Sequence, residues 1–521
     1  MSSNGKAELQ LLTKTIEEGQ AKILAPSNVF YNPVQQFNRD LSVLVINTYL
    51  KHKLYGEKNL RIAKESGGFR ILDALSATGL RSIRYAKELD PTNIETIDKI
   101  VANDLSEKAI EIIKRNISEN HVSDKVRASH DDASLLMHDT KRSASQRFHV
   151  IDLDPFGSAA KFLDAAVSSI ESSGLLMVTC TDTAVLCGNA SESCFARYGS
   201  MSLRTPYCHE MGLRILLRSL EQHASRYGRF IKPLVSLSID FYMRLFVQVF
   251  TQPAETKMAA SRLAQVYHCK ACHSFELLRL GKCTIKEDAP MAASNNLAVK
   301  YKFQPPDALV SSKCGMCGRT YSIGGPIWAE PMHDKTFVNQ LINELGSTES
   351  NQQPNKFGTH RRLDGMLHII SEELDVPLYY ETDKLTSVIN MPAPPQKLFN
   401  SALLNAGYQV SATHASPGSF KTTAPGHIVW DIMCQWAREN PRQKKAKIQS
   451  DGEEKAPMKR TDMKTTAGES IMDKMTSKDD KKTYDFTFHR SAEPISKKLQ
   501  LLRFQTNPTA NWGPKKRPRD E

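Results

Sequence analysis

Between residues 66 and 185 the chain repeats one pattern: a short apolar run, then a stretch with apolar positions at helical spacing. Residues 69–75, 99–105, 125–133, 148–153 and 174–180 are the five β-strand candidates. The stretches between them predict helices over 80–89, around Ile110, Ile113 and Ile117, and over 159–170. Ser106 stands where a hydroxyl can cap the second of these. Repeated β-α units imply an α/β fold with a parallel sheet covered by helices. A long helix over 207–227 and a strand pair ending at 241–250 follow, and the pair is expected to close the sheet antiparallel. From about residue 255 the pattern changes, which predicts a second domain that is mostly helical over 334–436.

The expected division is 1–254, 255–436, a disordered linker 437–482 and a disordered basic, aromatic tail 483–521. The linker expectation rests on 441–482, which is rich in Lys, Asp, Ser, Thr and Met and short of apolar residues. No run of about 18 uninterrupted apolar residues occurs, so no membrane span is expected. The N-terminal residues mix Lys6, Glu8, Lys14, Glu17 and Glu18 and show neither an apolar leader nor a transit-peptide composition. Ten cysteines in 521 residues fit a reduced intracellular protein better than a disulfide scaffold. The net charge is +12, of which residues 438–521 carry +8 (21 basic, 13 acidic). That balance favours a polyanionic partner, nucleic acid above all, although a basic solubility tail gives the same sum. Lys515 to Arg519 reads equally as an RNA contact or a nuclear targeting signal.

Ligands on parallel sheets bind at the carboxyl ends of the strands, where several acidic residues fall. Asp73 opens a loop of small residues before the first helix, and this loop is neither a dinucleotide fingerprint nor a Walker A loop. Asp104, one unit later, suits two ribose hydroxyls. Asp132 suits an adenine amino group, and Ala133 leaves room for the ring. Together they read as an S-adenosylmethionine pocket; each acid alone has the alternative of a helix cap or a surface charge. After the fourth strand comes Asp154-Pro155-Phe156-Gly157. At neutral pH the Asp154 carboxylate and the Pro155 carbonyl only accept hydrogen bonds, and Phe156 offers an aromatic face. An exocyclic amine on a flat base fits these three groups. A structural Asp-Pro turn is the alternative.

Cys269-x-x-Cys272 and Cys314-x-x-Cys317 have the spacing of two zinc knuckles, and four thiolates suit one structural Zn²⁺ in a zinc-ribbon-like module. The 41 intervening residues are tolerable because loop closure costs rise slowly with length. His268, His273 and Cys283 are weaker candidate ligands. In the second domain His360, Arg361, Arg362, Lys397 and Lys421 are candidates for an RNA face, with a solvated helical surface as the alternative.

The block Asn32-Pro33-Val34-Gln35-Gln36-Phe37-Asn38-Arg39-Asp40, within residues 28–46, carries a resemblance. With the loop from Asp73 to Arg81, Asp152-Leu153-Asp154-Pro155-Phe156-Gly157 and Thr181-Asp182-Thr183-Ala184-Val185-Leu186, the chain resembles the tRNA guanine-26 N2-dimethyltransferase family. The match extends over residues 16–436 and takes in Gly324-Gly325-Pro326-Ile327-Trp328 and Gly407-Tyr408-Gln409-Val410-Ser411. The resemblance implies a class I, Rossmann-like methyltransferase that uses S-adenosylmethionine and modifies tRNA by flipping its target base. It implies a C-terminal α+β domain that grips tRNA, and a monomer. It places Arg39 near the cofactor's carboxylate with Arg81 beside it, Phe30 over the cofactor, Asp154 as the catalytic acid and Phe156 as its stacking partner. Asp152 shares the face of Asp154 but precedes the turn. Ala77 stands where many methyltransferases carry glycine. Two alternatives stay open: a methyltransferase for another nucleic-acid exocyclic amine, and a non-catalytic RNA-binding protein on a methyltransferase scaffold. The basic C-terminus favours the nucleus, with the mitochondrion as an additional destination.

Overall fold

The computed structural model describes residues 13–26, 31–54, 68–90, 95–284, 302–304, 310–350, 357–441, 463–476 and 483–504. Phe30 and the Lys515–Arg519 cluster lie outside them. A hairpin, β1 (Thr13–Glu18) and β2 (Ala21–Pro26), leads into α1 (Gln36–Tyr49). Alternating units follow: β3 (Phe69–Asp73), α2 (Leu80–Glu88), β4 (Ile97–Asp104), α3 (Glu107–Glu119), β5 (Val126–His130), α4 (Ala133–Thr140), β6 (Val150–Leu153), α5 (Leu163–Ser169) and β7 (Gly174–Cys180). Then come α6 (Ser191–Tyr198), α7 (Cys208–Ser225), β8 (Arg229–Ile239) and β9 (Tyr242–Thr251). The sheet runs β5-β4-β3-β6-β7-β9-β8. Its first five strands are parallel, and β9 and β8 add antiparallel, as the class I methyltransferase reading requires.

Alternation along the strands sorts the core. Ile71, Ile100 and Val150 pack against α1, α2 and α3, whereas Leu72, Val101 and Ile151 pack under α4, α5 and α7. The strand predicted over 125–133 stops at His130, because Asp132 turns to cap α4 by accepting from Ser134 N and Leu135 N. The predicted Ser106 cap is present, accepting from Ala109 N. Among the described residues no helix is long and apolar enough to cross a membrane.

The second half builds around β10 (Leu263–His268), β11 (Phe275–Arg279), the pair β12 (Lys282–Thr284) and β13 (Lys302–Gln304), and β14 (Ser322–Trp328), with sheet order β11-β10-β14. Helices α8 (Lys335–Ser350) and α9 (His360–Glu372) come next. A small sheet of β15 (Tyr380–Glu381), β16 (Val410–Ala412) and β17 (Ser419–Thr422) is framed by α10 (Thr382–Val388), α11 (Gln396–Asn405) and α12 (Gly426–Glu439). This α+β half has its own core around Phe399, Phe420 and Trp430. It also shares both earlier cores: Phe337, Leu341 and Ile370 join the α1 side, and Val266, Ile327 and Leu378 join the α7 side.

Two expectations need correction. The segment 437–482 contains a helix, α13 (Met463–Thr476), whose Ala467 and Ile471 lie one turn apart and are fully buried in the third core. Two well-placed apolar residues suffice there because α10 and α12 supply the rest of the surface. Residues 483–504 are a strap held on α9, α11 and α12. Tyr484 exchanges hydrogen bonds with Gln435, and Glu372 accepts from the backbone of Ile495 and Ser496. A Cβ on Gly365 would meet Leu502 O at 2.1 Å, so only glycine lets the strap lie this close to α9.

Candidate active site and metal centre

A cleft opens at the carboxyl ends of the parallel strands. It is lined by Tyr31 and Arg39, by the 75–78 loop and Arg81, and by Asp154, Pro155, Phe156 and Thr181. Six residues singled out from sequence therefore meet there: Arg39, Ala77, Arg81, Asp154, Pro155 and Phe156. Phe156 is 62% exposed, which leaves its ring accessible for stacking. The turn beneath it is pinned twice, since Gly157 N donates to Thr181 Oγ1 and Thr181 N donates to Gly157 O, each at 2.8 Å.

The other candidates sit behind or beside the cleft. Asp73 is fully buried and accepts from Ser76 Oγ (2.7 Å) and Ser82 Oγ (2.8 Å), so it braces the loop from below. Burial, with Asp152 close by, pushes its carboxyl up to about 6 against the pull of those hydroxyls. Asp104 accepts from Ala77 N and Ser106 N, both at 2.9 Å. Ala77 adopts φ +53°, the left-handed backbone at which many methyltransferases use glycine, and its N–H is held by Asp104. Asp132 caps α4 and Ala133 is buried beside it; neither lines the cleft.

Beneath the cleft lies a polar network that the sequence pattern left unmarked. Asp152 accepts from Arg244 Nη1 (2.8 Å), Tyr85 OH (2.6 Å) and Arg81 Nη1 (3.4 Å). Burial alone would raise the Asp152 carboxyl, but Arg244 and Arg81 hold it below the ordinary carboxylate range. Arg244 is a lone charge in an apolar strand, the one signal that could have marked it. Arg39 pairs bidentately with Glu18, which also accepts from Arg84 (2.7 Å) and Tyr31 OH (2.9 Å). Burial and the Glu18 charge push the Tyr31 hydroxyl up to about 12. Asp40 accepts from Thr359 N and Oγ1, tying the start of α9 to α1.

Two of the expected RNA-facing charges point inward. Arg362 pairs with Asp240 (2.8 Å), and Lys421 lies buried between Glu210 and Glu373. Lys397 pairs with Glu493 of the strap.

Cys269, Cys272, Cys314 and Cys317 are all buried, with their Sγ atoms within 4.8 Å of one another. The Cys269–Cys317 and Cys272–Cys314 separations are 3.4 and 3.6 Å. A Zn–S bond of about 2.3 Å in a tetrahedron requires S···S of about 3.8 Å, so the four thiols fit one zinc ion. Each knuckle closes alike: His273 N donates to Cys269 O and Gly318 N to Cys314 O, with both residues at positive φ. His268, His273 and Cys283 stand outside this set.

Residues 11–434 match the family model described as N2,N2-dimethylguanosine tRNA methyltransferase. The tRNA (guanine(26)-N(2))-dimethyltransferase of Schizosaccharomyces pombe is 41% identical over 97% of this chain and 92% of its own length. The human protein of that name is 40% identical over 97% of this chain and 78% of its own length. A Saccharomyces cerevisiae relative, described as mitochondrial, is 38% identical over 96% and 92%. Among solved structures, Trm1 from Pyrococcus horikoshii in complex with S-adenosyl-L-methionine is similar, with a TM-score of 0.63 and 30% identity, covering 80% of this chain and 99% of that one. The chain belongs to the N2,N2-dimethylguanosine tRNA methyltransferase family.

Proposed function

We propose that this protein is a tRNA (guanine-26-N2)-dimethyltransferase. It uses S-adenosylmethionine to convert the guanine to N2-methyl- and then N2,N2-dimethylguanosine. The supporting observation within the chain is the convergence of Asp154, Pro155 and Phe156 in one cleft that Arg39 also lines.

S-adenosylmethionine, when bound, supplies an electrophilic methyl group on its sulfonium sulfur. The residues present suit it: a cation for its carboxylate, a close-approaching loop at 75–78, and an acid at the end of β4. We assign Arg39 to the carboxylate through Nη1, since Glu18 and Asn32 engage Nε and Nη2. Asp104 is assigned to the ribose, Asp132 and Ala133 to the adenine, and Asp73 to support of the loop.

The flipped guanine stacks on Phe156, which returns about 1–3 kcal/mol against an unstacking cost of a few kcal/mol. Asp154 and the Pro155 carbonyl accept the two N–H groups of the N2 amine. This draws the nitrogen lone pair out of the ring and aims it into the cleft. Asp154 then takes the proton that the alkylated nitrogen sheds. After one methylation a single N–H remains to be held, so a second round is still positioned. After two, no N–H is left, both acceptors go unpaired, and the base is released.

The zinc set has no open position and serves structure. We assign residues 1–254 to catalysis and 255–436 to tRNA binding. We further assign the chain to the nucleus through its basic C-terminus, and to a monomeric state. The test is a pair of tRNA transcripts that differ only in guanosine or inosine at position 26. Inosine lacks the N2 amine, so methyl incorporation into the inosine transcript equal to that into the guanosine transcript would overturn the proposal.

A further inference from the structure

We infer that Arg81 is a positioning residue for Asp154. The inference rests on the function proposed above and gives Arg81 a role other than cofactor ligand.

Arg81 is the second residue of α2, and its side chain is only 8% exposed. Nη2 donates to Asp154 Oδ2, and Nη1 points back to Asp152 Oδ2 and Ser42 Oγ, each at 3.4 Å. Both rear anchors are themselves fixed. Asp152 is held by Arg244 and Tyr85; Ser42 accepts from Arg244 Nη2 (2.9 Å) and donates to Asn38 O (2.7 Å). The guanidinium therefore has a rigid back and a single forward contact. Its planar fork spans the two carboxylates, whereas an ammonium would offer one point charge.

Two consequences follow for Asp154, whose side chain is 22% exposed. Its carboxylate is locked in one orientation before substrate arrives. Oδ2 is occupied, so Oδ1 is the atom offered to the N2 amine. Preorganised acceptors of this kind act on the transition state, and a displacement of about 1 Å costs on the order of 10²-fold in rate.

The test uses the full chain with Arg81→Ala, Arg81→Lys, Asp154→Ala and the Arg81→Ala/Asp154→Ala double variant. S-adenosylmethionine binding is measured by calorimetry without tRNA, and single-turnover methyl transfer is measured against tRNA concentration. A positioning role predicts that Arg81→Ala leaves cofactor affinity within about threefold, well under the tenfold that 1.4 kcal/mol represents. It predicts a loss of about 100-fold in the rate at saturating tRNA, with the half-saturating tRNA concentration little changed. Arg81→Lys restores part of the rate, and it keeps the buried charge should the alanine variant fail to fold. Adding Arg81→Ala to Asp154→Ala costs nothing further. Cofactor affinity weakened more than tenfold would make Arg81 a cofactor ligand and overturn the inference. An unchanged rate would overturn it too. Full activity in Asp154→Ala alone would instead remove the catalytic assignment on which the inference rests.

Discussion

Asp152 and Asp154 lie two residues apart and touch the same arginine, yet they should respond to substitution in opposite ways. Asp152→Asn removes a fully buried charge that receives three donors, two of them guanidinium groups. Arg244, fully buried itself, would keep only neutral acceptors: the amide oxygen at position 152, Ser42 and Thr179. Breaking a buried pair from one side costs about 3–5 kcal/mol, a large share of the roughly 5–15 kcal/mol available to a domain. Asp154→Ala gives up one charged hydrogen bond at a partly exposed position, about 2 kcal/mol at most. Urea unfolding followed by far-UV circular dichroism therefore separates them: Asp152→Asn loses most of its stability and Asp154→Ala little, while Asp154→Ala loses methyl transfer. The folded Asp152 carboxyl lies below its unfolded value. Its contribution is thus present above the unfolded pKa near 3.9 and vanishes as pH falls, and the wild-type advantage over Asp152→Asn should shrink on acidification. Equal stability of the two variants, or an advantage that grows in acid, would refute this account of the network.

Asp73 titrates in the opposite sense. Its folded carboxyl is raised to about 6, so burial opposes folding as the group ionises, and stability is lost as pH rises from about 4 to 6. Asp73→Asn should gain about 3 kcal/mol relative to wild type between pH 4 and pH 7; a pH-independent difference contradicts this. The purified protein should carry one zinc per chain. Chelation or Cys272→Ser should red-shift the fluorescence of Trp430, whose Nε1 donates to Ser274 Oγ beside Cys272, and an unmoved spectrum would argue against the metal. Truncation after residue 482 should melt lower than truncation after residue 504, by uncovering the surfaces under Tyr484 and Ala492. Equal melting of the two truncated chains would show that the strap contributes nothing.

The parallel sheet was legible because strands such as β3, β6 and β7 are compact apolar runs and the intervening helices show their period, as with Ile110, Ile113 and Ile117. The turn at Asp154 was legible because Pro155 cannot continue a ladder. The zinc module was legible from two identical spacings. What escaped depends on partners far along the chain. Arg362 and Lys421 look like surface charges on their own elements, but their acidic partners lie 122 and 211 residues away. Glu18 and Arg84, 66 residues apart, give no local sign that they share a buried cluster. Helix α13 was missed because a composition average hides two apolar residues placed one turn apart. Asp132 carried both a ligand role and a cap role from sequence, and among the described residues its hydrogen bonds are those of the cap.

The most direct test of the central claim is nucleoside analysis of an unmodified guanine-26 tRNA transcript after incubation with labelled S-adenosylmethionine. Wild type and Asp154→Ala are run in parallel, each first shown to bind the cofactor. The account predicts N2-methyl- and N2,N2-dimethylguanosine at position 26 with wild type, and neither with the variant. Label on another base, or dimethylguanosine formed by the variant at the wild-type rate, would contradict it.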